Sequence, residues 1–104
     1  MSLSDLDRQI VEFNYARWDR TIRFRPITAF QLVGLQADFG EVNGEDATSR
    51  DVMSFYAELL AASVIDPQYS ASEWLNDASG ETIMSLGLEA LRINGLAVED
   101  AKKK

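Results

Sequence analysis

The chain of 104 residues contains no cysteine and no histidine. Without cysteine there is no disulfide framework and no thiolate metal site, which agrees with a reducing compartment. Without histidine the commonest general base and a common zinc ligand are missing, so most catalytic mechanisms have no residue to run on. No stretch approaches the roughly 20 apolar residues that a membrane-crossing helix needs, and the N-terminus lacks the apolar run of a signal peptide. The expected location is therefore the cytoplasm. Met1, Ser2 and Leu3 are set aside as a start of the kind that cloning adds.

Basic residues are also scarce, 10 against 17 acidic ones, for a net charge of −7. The shortage is uneven along the chain. Residues 1 to 25 hold five arginines against four acids, whereas from 26 to 101 only Arg50 and Arg92 oppose 13 acids, before Lys102, Lys103 and Lys104 close the sequence. An acidic body disfavours a nucleic-acid partner, because affinity for nucleic acid comes largely from neutralising phosphates. It suits basic partners.

What is present is apolar: 46% of the residues are hydrophobic. A chain of this length is expected to fold as one domain over residues 1–104, removing roughly 65% of its extended surface from water without metal or disulfide. Val11, Phe13 and Tyr15 alternate with Glu12 and Asn14, and Ile22 and Phe24 alternate with Arg23 and Arg25. This period-2 pattern predicts a β-hairpin over about 10–26, connected through Trp18, Asp19 and Arg20 and closed by Pro26. A lone hairpin is marginal in water, so helices must cover it. Residues 4 to 9 read as polar and loose.

A helical body is expected over about 28–95, followed by a charged tail over 96–104. Thr28 is the N-cap of a first helix that runs to about Phe39 and ends at Gly40. Ser49 caps a second from about Arg50 to Ile65, stopped by Pro67. Ser70 with Glu73 forms a capping box for a short helix from Ala71 to Asp77. Ser79 caps a last helix through Ile93, which Asn94 and Gly95 terminate. The expected class is mostly α (α+β): an N-terminal hairpin followed by three to four helices.

Two helices carry more apolar surface than one core requires. At 100° per residue the first has Phe30, Val33, Gly34 and Ala37 on one side and Leu32, Leu35 and Phe39 nearly opposite. Either it is a central helix covered on both sides, or one stripe meets a partner, in which case Leu32, Leu35 and Phe39 are the candidate association surface. The last helix sets Ile83, Leu86, Ala90 and Ile93 on one side and Met84, Leu88 and Leu91 on another, with only a narrow polar strip between. The second helix shows one broad face of Val52, Phe55, Tyr56, Leu59 and Leu60, as a core helix should.

Candidate chemistry is thin. Asp38, Glu41, Glu45, Asp46 and Asp51 cluster around one loop, but the spacing fails as an EF-hand: the turn glycine falls on Asp46 and the bidentate acid on Val52. A solvated loop with a helix cap accounts for these acids. Arg17, Arg20, Arg23 and Arg25 interleave with Tyr15, Trp18 and Phe24. Three readings are open for them: a solvated strand face, a single-strand nucleic-acid surface, or a basic hairpin docking on the acidic body of a neighbouring copy through Arg17, Arg23 and Arg25.

From about residue 20 onward, the segment Leu59, Leu60, Ala61, Ala62, Ser63, Val64, Ile65, Asp66, Pro67, then Trp74 and Leu75, then Ile93, Asn94, Gly95 and Leu96, with Ala101 and the final lysines, resembles the helical body of siphophage tail assembly chaperones. The Arg-containing stretch from Thr21 to Thr28 matches the extended segment that precedes the helices in that family. The resemblance implies a non-enzymatic protein that forms homo-oligomers and coats the tape measure protein until the tail tube polymerises around it. It also implies residence in the host cytoplasm, absence from the mature virion, and no cofactor, membrane, nucleic-acid or small-molecule partner. Lys102, Lys103 and Lys104 fit the slippery codons from which a longer form is made in that family. Two other readings stand beside it: a structural head-tail connector or tail component, and an acidic inhibitor of a host nucleic-acid-binding protein.

Overall fold

The computed structural model of the protein describes residues 2–39 and 49–96. In chain order the elements are α1 (Leu3–Asp7), β1 (Val11–Tyr15), a 3-10 turn (Ala16–Trp18), β2 (Arg20–Phe24), α2 (Ala29–Phe39), α3 (Ser49–Ser63), β3 (Val64–Asp66), α4 (Ala71–Asp77) and α5 (Gly80–Ile93). The architecture is α+β, with helices packed on a three-stranded antiparallel sheet of order β1-β2-β3.

The hairpin forms where the alternation places it. Val11 faces Phe24, Phe13 faces Ile22 and Tyr15 faces Arg20 across the ladder. Tyr15, Ile22 and Phe24 turn inward and are buried, while Glu12, Asn14 and Arg23 lie on the solvent side. Asp19 ends the connection in the left-handed region at φ 52°, one of the few conformations open to a short polar side chain that can bond locally. The Phe13 and Phe24 rings meet edge to face at 6.4 Å, a cross-strand pair of the kind that stabilises sheets.

Two segments differ from the sequence expectation. Leu3–Asp7 is a helical turn where a loose polar segment was expected, with the Ser2 side chain accepting from Asp5 N at 3.1 Å. It buries none of its residues and is held at its end instead: Arg8 Nε donates to Pro26 O at 2.7 Å, and Arg25 Nε donates to Arg8 O at 2.9 Å. The second difference is the end of α3. The helix was expected to reach Ile65, yet it stops at Ser63, and Val64–Asp66 pairs with β2 through Arg23 and Phe24. β2 has one edge taken by β1 and one left open, and β-branched Val64 and Ile65 are better suited to covering that edge than to continuing a helix. Arg25 N donates to Ser63 O at 2.7 Å, and Ser63 Oγ donates to Arg25 O at 2.8 Å, which fixes the changeover.

The helix ends follow their caps. Thr28 Oγ1 accepts from Gln31 N at 3.1 Å while Gln31 Oε1 accepts from Thr28 N at 2.9 Å, a reciprocal box at the start of α2. Ser70 and Glu73 form the same arrangement on α4, and Ser79 Oγ accepts from Thr82 N on α5. α5 closes in a Schellman turn: Leu96 N donates to Leu91 O at 2.7 Å, Gly95 N donates to Arg92 O at 3.1 Å, and Gly95 sits at φ 73°. α3 begins at Ser49, whose expected role as a cap lies outside the described side chains, as do the expected stop at Gly40 and the tail beyond Leu96.

One cluster of buried residues joins the strands and the helices α2 to α5. It includes Ile22, Phe24, Leu59, Leu60, Val64, Trp74, Leu86 and Ala90, with α3 contacting α2, α4, α5 and β3. Two polar residues inside it are satisfied: Tyr15 Oη and Thr82 Oγ1 share a hydrogen bond of 3.0 Å, and Ser63 bonds as described. Asn94 ties three segments together. Its Oδ1 accepts from Ile27 N at 2.7 Å, and its Nδ2 donates to Ala90 O at 2.8 Å and Ser63 Oγ at 3.3 Å. Asn94→Ala leaves the Ile27 amide without this acceptor, so it is expected to cost about 1–3 kcal/mol in urea unfolding. An unchanged midpoint would mean that Asn94 caps α5 without holding the entry to α2.

Candidate association surfaces

On α2 the split into two apolar stripes is as the helical wheel has it, but the stripes exchange sides. Leu35 is 8% exposed and belongs to the core, and Leu32 is half-buried. Phe30 and Val33, expected on the inner side, are 90% and 60% exposed. The side chain of Phe39 lies outside the described residues. The reason is the way the helix enters. Ile27 is pinned to Asn94 and packs against the core, and this anchor, remote in sequence, sets the rotation of α2 about its axis. Leu35 is therefore corrected from association surface to core, and the exposed pair on α2 is Phe30 and Val33.

On α5 Met84 and Leu88 lie at the surface as expected, Leu88 being 49% exposed. Leu91 shares their side of the wheel yet is 4% exposed. The Schellman turn folds the following chain back over the last helical turn, and Leu96 packs on the core from there. Leu91 is thus also core and not surface. At the end of α5, Arg92 pairs with Glu89, whose hydrogen bond and charge raise the guanidinium pKa above its ordinary value.

Sequence reasoning missed a third exposed apolar set. Leu3, Leu6 and Ile10 all lie exposed on and just beyond α1. Their i, i+3, i+7 spacing was the available signal, hidden by setting Leu3 aside and reading residues 4–9 as loose. The clasp between Arg8 and Pro26 holds the end of α1 near the entry to α2, which carries Phe30.

The hairpin arginines find partners inside their own copy. Arg17 pairs with Glu81 at 3.1 Å, Arg20 with Asp66 at 3.0 Å and Arg23 with Glu12 at 3.7 Å. Such exposed pairs contribute only about 0–1 kcal/mol each, so an incoming carboxylate can replace them. Arg25 is half-buried in the clasp, so its place is structural and not on a free docking face. Tyr15 and Phe24 are buried, which removes both from any platform for stacking bases.

Among the described residues no helix is long and apolar enough to cross a membrane, and no group of three or more carboxylates stands together as a metal site. The acidic residues 41–46, expected to form a loop, lie outside the described residues. No protein-family model, no curated protein and no solved structure matches the chain.

Proposed function

We propose that the protein is a tail assembly chaperone of the siphophage type, which associates with copies of itself and shields the tape measure protein before the tail tube forms. The reading rests on the resemblance of the segment from Leu59 to Pro67 and of the Asn94-Gly95-Leu96 helix end. The observation that carries it further is the set of large apolar side chains left uncovered around a closed core, above all Phe30 and Val33 on α2. Exposed apolar side chains gathered on one element commonly mark a binding surface. An apolar helix face offered to an apolar stripe of a long helical client is a mode of recognition that needs no reactive group. Many weak sites along one client would act together by raising the effective concentration, and the net charge of −7 would keep the assembly soluble.

The test is co-expression with a tape measure protein encoded beside this chain. The client should stay soluble with the wild type and precipitate with the Phe30→Asp, Val33→Asp double variant, and mass spectrometry of finished particles should not find this protein. A client equally soluble without it, or its presence in washed particles, would overturn the reading.

A further inference from the structure

Both tryptophans of the chain stand in the wall of one cleft. The cleft has a volume of about 300 Å³ and is lined by Trp18, Tyr69, Glu73, Trp74, Asp77 and Ala78. This is the small end of the range of ligand sites, so it suits one side chain or a compact ligand. The indoles of Trp18 and Trp74 lie parallel within 4°, their centroids 6.3 Å apart, and the Tyr69 ring stands at 89° to Trp74 at 5.5 Å. The 3-10 turn supplies Trp18, the loop after β3 supplies Tyr69, and α4 supplies the rest of the aromatic and acidic wall.

The chemistry of this wall is selective. Aromatic faces carry negative charge density and attract cations, most strongly when water is excluded. Glu73 and Asp77 are four residues apart on α4 and so share one of its faces. Glu73 is held in place by the capping box, where one of its oxygens accepts from Ser70 N at 2.9 Å. Asp77 has no such role. It is the last residue of α4, where the helix dipole disfavours an acid and no basic residue compensates. The fold gains nothing from this acid, whereas a bound cation would. Trp74 is 2% exposed and its Nε1 is closed off from solvent, so this indole is the floor on which Trp18 and Tyr69 pack, and those two rings form the open aromatic surface.

We propose that this cleft binds an arginine or lysine side chain presented by a partner polypeptide, with the rings of Trp18 and Tyr69 packing on its stem and the carboxylates of Glu73 and Asp77 meeting its charge. The proposal goes beyond the chaperone reading and does not rest on it, since it uses none of the apolar residues of α1, α2 or α5.

Because the cleft holds both tryptophans, indole fluorescence of the intact protein reports on it directly. The probes are N-acetyl methylamides of arginine, lysine and norleucine, with methylguanidinium as a cation lacking the aliphatic stem. The arginine and lysine probes should shift the emission saturably, with the uncharged norleucine probe and methylguanidinium each about tenfold weaker. Asp77→Asn, which leaves the fold intact because Asp77 holds nothing in place, should weaken the two basic residue probes while leaving norleucine unchanged, and Tyr69→Ala should weaken all of them. Equal binding of norleucine, equal binding of methylguanidinium, or no saturable shift with arginine and lysine would each overturn the assignment.

Discussion

Trp74→Ala is expected to lower the unfolding free energy by about 3–5 kcal/mol, the range for removing a buried aromatic ring. Trp74 is among the largest fully buried side chains, and it joins α4 to the sheet side of the core by stacking on Trp18, which in turn meets Tyr15 at 5.3 Å. A domain of this size has about 5–15 kcal/mol in all, so this one substitution removes from about a fifth to all of it. Trp74→Phe separates two contributions. Since Trp74 Nε1 makes no hydrogen bond, phenylalanine gives up packing volume and no polar partner, and the loss should be about 1–2 kcal/mol. Chemical denaturation of the three proteins checks both values. If phenylalanine were as damaging as alanine, the indole N–H would have to be bonded in solution.

Gly87→Ala should destabilise the protein although it improves the helix. In an exposed helix the exchange gains about 1 kcal/mol in propensity. Here a Cβ would stand 2.7 Å from Tyr56 Cγ and 3.1 Å from Tyr56 Cβ, at the root of the ring, where a rotamer change gives little relief. At Gly87 the backbone of α5 lies directly against Tyr56 of α3, so the helices must move apart and the fully buried Leu86 and Ala90 lose packing. The overlap outweighs the propensity gain, for a net loss of about 1–3 kcal/mol. In a Tyr56→Ala background the same exchange should cost less or turn favourable, and a double-mutant cycle measures the difference. Equal effects in both backgrounds would place the strain elsewhere.

The sequence was most readable where structure is decided locally. The alternation of Val11 to Tyr15 with Ile22 and Phe24 found the hairpin, and the cap residue Thr28 and the pairs Ser70 with Glu73 and Asn94 with Gly95 found helix ends, because each works through groups a few residues apart. What was hidden depends on distant partners. Val64 and Ile65 continue a helical pattern on their own and become a strand only because β2 offers an edge. The wheel divided α2 correctly but could not tell inside from outside, since its rotation is set by Asn94, 67 positions from Ile27. Gly87 looks like any helical glycine until α3 is placed against it. Within the candidate site, Met84 and Leu88 were readable as surface, whereas Leu35 and Leu91 were not readable as core, for these same reasons.

The central claim is that one copy leaves more apolar surface uncovered than it can hide, and that this surface makes it associate. Sedimentation velocity over a concentration series tests it most directly, on the wild type and on the Phe30→Asp, Val33→Asp variant. The wild type should rise above the single-chain mass of 11.6 kDa as concentration increases, while the variant stays folded and remains near one copy. A wild type that holds 11.6 kDa at every concentration, with the variant indistinguishable from it, would contradict the claim.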